Sequence, residues 1–259
     1  MSIVGQVGAA YLWQAAMTPA VIALRSRAWS LLGLGPGARV LDIGCGPGTT
    51  LAGLASLVGP FGQVIGVDHD PEMVRLADGV ALQLGVASWA RHQVADAAAL
   101  PFPPGAFDAC YSERLLQHLD AARAEAAVAE AARVLRSGGT AVFVDTDWPS
   151  FSVDADENEL ERRLQAINLA RFRNPFGARA LGRTLRAAGF GFVFTEPVAV
   201  PLSATSAAGL LAGAEQDAAS SGALTPAEHA RWRTALAGLH ATPGAAGHLT
   251  VVIAAGRRL

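Results

Sequence analysis

The sequence predicts an α/β protein built on a parallel sheet with helices on both faces, and three observations carry that prediction. From Ala38 onward, short apolar runs alternate with helical patterns, as in strands linked by crossover helices. The first run leads directly into Gly44-Cys45-Gly46-Pro47-Gly48, at the turn where such sheets bring the backbone close to a ligand. Composition agrees: 259 residues, 51% hydrophobic and 16% charged, suffice for one well-filled α/β core.

The elements follow in order. Ile3 to Leu24 carries no charge and approaches the length of a bilayer-spanning helix. Gln6, Gln14 and Thr18-Pro19 interrupt it, and no basic segment precedes it, so no membrane insertion is expected. Thr18 followed by Pro19 marks an N-cap and a first helical position, opening a helix to about Leu32. Residues 1–33 thus read as a helical lid. Strands are expected at Arg39–Ile43, Val64–Asp68, Ala90–Val94, Phe107–Ser112 and Thr140–Asp145. Between them, helices are expected at Thr49–Leu57, from Asp70-Pro71 to about Leu84, and over Ala121–Leu135, closed by Ser137-Gly138-Gly139. Residues 34–148 form the core on this reading. In 149–259 a polar linker, SVDADENE, leads into an arginine-rich helix, then strands at Gly191–Val200 and His248–Ala255. The segment between those strands is far longer than the hairpin loops of about 2–5 residues that are usual. A helical cap insertion is expected at about 203–246, within one structural domain overall.

Charge and cysteine usage narrow the function. The net charge is −2 and every basic residue is an arginine. That excludes Schiff-base chemistry and the lysine of a P-loop, and it offers no basic tract for nucleic acid. Cys45 and Cys110 form neither a CxxC pair nor a disulfide framework, which suits a reducing cytoplasm. No metal site is expected. Asp68, His69 and Asp70 are adjacent in an extended stretch and point in opposite directions, whereas Asp145 and Asp147 share a face at the end of the fifth strand, which would allow a divalent ion but reads first as a pair of helpers in a metal-free pocket.

The glycine loop has the spacing G-x-G-x-G. A dinucleotide fingerprint needs a third glycine where Thr49 stands, and Pro47 lacks the N–H that a phosphate cradle would use. A ligand without a pyrophosphate is therefore expected. Asp68 ends the second strand, where a carboxylate accepts hydrogen bonds from a ribose diol, and Asp96 follows the third, where an acid can bond an adenine amine. Asp42, Asp68 and Asp96 around one pocket suit a cationic nucleoside such as S-adenosylmethionine.

The runs VLDIGCGPG, GVDHD, VADAAALPFPPGAFD, SERLLQHL and RVLRSGGTAVFVDTD resemble the class I S-adenosylmethionine-dependent methyltransferases, within the group that includes the ubiquinone and menaquinone methyltransferases. The resemblance is dense over Ala38 to Trp148. It implies a Rossmann-like seven-stranded sheet with the last strand antiparallel. It also implies that Gly44, Gly46 and Gly48 contact the cofactor's amino-acid tail, with Asp42 beside them. Asp68 is then assigned to the ribose, His69 to packing near the adenine, Asp96 and Ala97 to the adenine edge, and Ser112 to the cofactor's other flank. Beyond Trp148 no motif fixes the acceptor.

The expected activity is O-, C- or N-methylation of a small, largely apolar metabolite in secondary metabolism, by a monomer or homodimer. Tyr11, Trp13 and Trp148 are the candidate acceptor contacts. His118 is the candidate base, because its unperturbed pKa of about 6.5 suits proton transfer near neutrality, with Asp145 and Asp147 next in order. Two readings compete: an S-adenosylmethionine-binding enzyme that catalyses a rearrangement or cyclisation without net transfer, and a nicotinamide oxidoreductase, against which the loop spacing argues. Arg179, Arg183 and Arg186 recur on one helical face and read as a solvated face opposite a core stripe of Leu181 and Leu185.

Overall fold

Local signals in the sequence set the helix starts. Thr18 accepts a hydrogen bond from Val21 N at 3.4 Å and Pro19 occupies the first turn, so α1 runs Pro19–Ser30. Asp70 accepts from Glu72 N at 2.9 Å ahead of Pro71, opening the helix Pro71–Gln83, and Asp120 accepts from Arg123 N at 2.9 Å to open Ala121–Val134. These three are α1, α3 and α4; α2 is Leu51–Val58. The computed structural model of the chain describes residues 12–239 and 247–259.

The strands are β1 Arg39–Ile43, β2 Gln63–Asp68, β3 Ala90–Val94, β4 Phe107–Glu113, β5 Leu135–Val153, β6 Phe190–Leu202 and β7 Gly247–Arg258. They form one seven-stranded sheet in the order β3-β2-β1-β4-β5-β7-β6. β1 to β5 pair in parallel, and β7 runs antiparallel to both β5 and β6. The last strand is thus inserted antiparallel, as the resemblance implied. The chain leaves β1 toward β2 and β3 on one side, then returns to β4 on the other. That reversal opens a crevice at the carboxyl ends of β1 and β4.

Period-two alternation sorts the core. Leu41 and Ile43 pack with Ala127, Val128 and Ala131 of α4 on one face, whereas Val40 packs with Leu24 and Ala28 of α1 and Leu54 of α2 on the other. β5 is much longer than the expected Thr140–Asp145. β7 pairs alongside it through Asp147 and resumes at Ser152, so partner hydrogen bonds carry the strand past Pro149. Where one arginine-rich helix was expected there are two, α5 Asn158–Ala170 and α6 Gly177–Ala187. Between them lies Asn174-Pro175, and a residue before proline is disfavoured in helix.

The expected cap is present between β6 and β7, as α7 Ala204–Ser221 and α8 Pro226–Leu239. Ser203 caps α7, accepting from Ser206 N at 3.2 Å, and Gly222 ends it at φ +72°. The cap packs with β5 in a third core of Trp148, Phe151, Leu164, Leu211 and Trp232. Among the described residues no helix is long and apolar enough to cross a membrane.

Trp232 is fully buried at the centre of that third core, and its indole N–H donates to the buried Glu215 at 3.1 Å. Trp232→Ala removes this packing and hydrogen bond together, so urea unfolding should show a loss of roughly 3–5 kcal/mol. Trp232→Phe, which keeps the ring bulk, should lose clearly less. A loss below about 1 kcal/mol for the alanine variant would mean that the cap does not share in the cooperative core.

Candidate functional site

The glycine loop between β1 and α2 uses its own N–H groups. Gly44 N and Cys45 N both donate to Val67 O, at 2.8 and 3.0 Å, and Gly48 N donates to Cys45 O at 3.1 Å. Gly46 N donates to Asp68 Oδ2 at 3.0 Å, and Pro47 has no N–H. No donor from Gly44 to Gly48 remains for an anion, so the loop is not a phosphate cradle. Gly46 sits at φ +51° with open space where a Cβ would stand. Gly48, at φ +84°, serves packing instead, since a Cβ there would lie 3.1 Å from Ala77 Cα of α3.

Above the loop lies a cavity of about 1150 Å³. Single-ligand pockets hold roughly 300–1,000 Å³, so this one has room for two reactants side by side. Asp42 faces it while nearly fully buried, accepting from Thr50 Oγ1 at 2.5 Å. Burial pushes the Asp42 carboxyl up to about 7; the Thr50 bond opposes the rise, and Glu113 adds to it. Asp68 accepts from Asp70 N at 3.0 Å as well as from Gly46, with His69 Nδ1 3.3 Å away. Each carboxylate oxygen keeps acceptor capacity toward the cavity.

A buried arginine ties the N-terminal helix to this loop. Arg25 of α1 pairs in bidentate fashion with Glu113 at 2.8 and 3.0 Å and donates to Thr49 O and Thr49 Oγ1 at 3.0 and 2.9 Å. Tyr111 O–H donates to Glu113 at 2.7 Å. Sequence reading did not single out this network. Its one trace was that Arg25 is the first charge after a long uncharged run.

At the other end of the cavity stand His118 and Trp148. Trp148 Nε1 donates to Gln117 Oε1 at 2.9 Å, and Gln117 Nε2 lies 3.0 Å from His118 Nε2. An indole N–H can only donate, so the Gln117 amide group that meets His118 is its NH2, and His118 Nε2 must be the acceptor. The proton of the neutral ring is then on Nδ1. Burial lowers the His118 pKa to about 4, with Arg114 and His69 adding to the effect. Phe172 stacks on Trp148 at 4.2 Å and lies 5.8 Å from the His118 ring.

The cavity wall gathers Asp42, Gly44, Gly46, Asp68 and His69, and also Asp96, Ala97, His118 and Trp148. Asp96 is engaged there: it accepts from Ala98 N at 3.0 Å and from Arg123 through both oxygens at 2.7 Å, and these bonds, the Ala98 one first, hold its carboxyl below the usual range. Other candidates lie off the wall. Gly48 packs on α3. Ser112 points to the opposite face of β4 from Tyr111 and Glu113, buried with its hydroxyl unpartnered. Asp145 is buried under the Leu116–His118 turn, accepting from Gln117 N at 3.1 Å and Thr146 N at 2.9 Å, and burial pushes it up to about 7. Asp147 accepts from Arg179 at 2.7 Å, so that arginine is tethered rather than simply solvated. Trp13 is half-buried outside the wall, and Tyr11 lies outside the described residues. Among the described residues no group of three or more His, Cys, Asp or Glu is placed to hold a metal ion.

Residues 40–139 match the family model described as "Methyltransferase domain". Over 238 residues the chain is 34% identical to an uncharacterized 37.1 kDa protein in transposon TN4556 of Streptomyces fradiae, covering 88% of this chain and 66% of that protein. Over 123 residues it is 36% identical to the ubiquinone/menaquinone biosynthesis C-methyltransferase UbiE of Pseudomonas putida, covering 46% of each. The chain therefore spans less than half of the characterised relative and just under two thirds of the other. Among solved structures, YcgJ from Bacillus subtilis superposes with a TM-score of 0.63 at 20% identity, over 90% of this chain and 97% of that one, a likeness of fold.

The buried Asp42 makes a test by pH. The folded-state pKa is about 7, against roughly 3.9 unfolded, so between these values the folded protein holds the extra proton. Asp42 therefore contributes most at low pH, and its contribution declines as pH rises from about 4 to about 7. The stability of wild type minus that of Asp42→Asn, read by urea unfolding, should fall across this window and level off above it. A difference that rises or stays flat there would show that Asp42 is ionised in the folded state.

Proposed function

We propose that the chain, which carries a methyltransferase domain over residues 40–139, is a class I S-adenosylmethionine-dependent methyltransferase that transfers a methyl group from S-adenosylmethionine to a small, largely apolar metabolite. The observation that carries this reading is the loop beside Asp42 and Asp68. Its N–H groups are satisfied internally, and carboxyl groups stand where a phosphate-binding protein presents donors. Such a site favours a nucleoside with cationic groups over a dinucleotide.

The residues fit that cofactor. Asp68 presents acceptors for a ribose diol and offsets positive charge, and Gly46 lets a ligand approach the backbone, whereas the space beside Gly44 is taken by Leu115. Asp96 and Ala97 border the adenine region, where Asp96 would exchange part of its pairing with Arg123. When bound, S-adenosylmethionine supplies a methyl group already activated by a sulfonium. The chain's task is then to hold the acceptor in line and exclude water, and positioning of this kind can supply roughly 7–11 kcal/mol. Val200, Leu202, Leu210, Leu249 and Val251 give the cavity its apolar wall, with Trp148 at its end.

In this reading His118 holds the acceptor rather than deprotonating it. Its Nε2 lone pair is engaged by Gln117 and its Nδ1–H is a donor, while Asp145 fixes the turn that carries it. Asp147, paired with Arg179, braces β5.

Calorimetry should detect binding of both S-adenosylmethionine and S-adenosylhomocysteine, and none of NAD; NAD binding as tight as either would sink the reading. Asp68→Asn should weaken S-adenosylhomocysteine binding at least tenfold, since a charged hydrogen bond contributes roughly 1.5–3 kcal/mol. Unchanged affinity in a folded variant would remove Asp68 from the site. Product mass separates methyl transfer, a gain of one CH2, from a rearrangement or cyclisation that leaves the mass unchanged.

For His118, any ionisation of kcat near neutrality should persist in His118→Gln, because the ring is already neutral well below that pH while Asp42 titrates at about 7. An ionisation there that disappears in His118→Gln would restore His118 as a base.

A further inference from the structure

Five arginines stand on the cavity wall, and three are neutralised: Arg25 by Glu113, Arg123 by Asp96 and Arg171 by Asp217. The other two, Arg114 and Arg173, have no side-chain hydrogen-bond or ion-pair partner among the described residues. They belong to one end of the cavity. Arg114 directly precedes the turn that carries Gln117 and His118, and Arg173 follows Phe172, whose ring stacks on Trp148. Asn174 N donates to Gln117 O at 3.1 Å, stitching the Arg173 loop to that turn. Asp145, which feels Arg114 electrostatically, is turned toward backbone N–H groups, and no hydrogen bond joins it to either guanidinium.

Arg114 is also strained. It sits at φ +58°, a left-handed conformation unfavourable for a side chain of its size, and its N–H donates to Val144 O at 2.8 Å. Strain of this kind persists where the surroundings impose it, and it collects at ligand sites. Here it fixes a guanidinium at the cavity rather than out in solvent.

We infer that Arg114 and Arg173 form an oxyanion-binding subsite at the Trp148 end of the cavity, so that the acceptor is an apolar molecule bearing a carboxylate or phosphate group. The proposal rests on the methyl-transfer reading only in calling this molecule the acceptor. Guanidinium forks match both oxyanions, and the apolar wall of Leu202, Leu210 and Leu249 would take the hydrocarbon body.

Three probes of equal chain length test it by calorimetry: decanoate, decyl phosphate and decanol, each with the protein alone and with the protein saturated in S-adenosylhomocysteine. At least one anionic probe should bind wild type tenfold or more tighter than decanol in both conditions. Arg114→Gln and Arg173→Gln should each reduce that preference at least fivefold, leaving decanol and S-adenosylhomocysteine affinities within about threefold of wild type. Arg173 is exposed in a loop, so its variant stays informative even if the strained position makes Arg114→Gln fold poorly. Equal binding of anion and alcohol, or a preference that survives Arg173→Gln, overturns the subsite. Loss of S-adenosylhomocysteine binding in either variant does so too, by assigning that arginine to the cofactor. Failure of wild type to bind S-adenosylhomocysteine would count against methyl transfer alone, because the anion preference is also read without it.

Discussion

The hydrogen bond from Gly46 N to Asp68 is the constraint on which the rest of the site depends. It joins the loop after β1 to the end of β2, and with the paired donation of Gly44 and Cys45 to Val67 it leaves the loop folded on itself. A phosphate-binding loop keeps its donors facing outward; this one has turned them inward and presents carboxyl groups instead. The sign of the ligand charge that the site favours follows from that single choice. In the proposed function Asp68 would have two tasks, since the same carboxylate that holds the loop would also accept from the ligand. That would explain why it lies mostly buried, though on the cavity wall.

Arg25 extends the constraint to the N-terminal helix. A buried arginine is tolerable only when its donors are satisfied, and here Glu113 and Thr49 take them in near-ideal geometry. Removing either partner would strand a charge, so α1, the loop and the end of β4 behave as one unit. The part of the N-terminal segment after Thr18 is tied to the cavity wall by these bonds. Asp42 lies close enough to feel both Glu113 and Arg25, and with the burial of Asp42 this makes the site sensitive to one proton.

Much of the fold was legible because it is written locally. Thr18-Pro19, Asp70-Pro71 and Asp120 cap helices within three residues of themselves, and the apolar runs of β1, β2 and β4 mark strands without reference to partners. The limits of legibility are long-range. β5 continues through Pro149 because β7, a hundred residues on, bonds to it: Thr250 N donates to Ser150 at 2.7 Å. The cofactor side of the site was read from motif spacing, and Asp42, Gly46 and Asp68 do share one cavity. Ser112 lies off the cavity wall, because its face depends on strand phase, which motif position alone does not reveal. The Arg25–Glu113 pair joins residues 88 apart, and only the folded sheet brings them together.

The cavity is divided by charge. Asp42 and Asp68 stand at the carboxyl ends of β1 and β2. Arg114 and Arg173, whose side chains have no hydrogen-bond or ion-pair partner among the described residues, stand at the turn after β4, where Asp120 also lines the wall, and the loop after α5. In a partly buried site two such regions interact strongly with anything between them, because solvent screens them little. A cationic cofactor and an anionic acceptor would each be favoured at one end and disfavoured at the other. The molecule then needs no elaborate shape recognition to set the order of its two reactants. On the proposed reading the field would orient them, and the apolar wall between His118, Trp148 and the cap would supply the dry contact surface over which the reacting atoms meet. In such an arrangement a base near neutrality is of less use than a rigid floor. The chain from Trp148 through Gln117 to His118, anchored on the buried Asp145, supplies that floor.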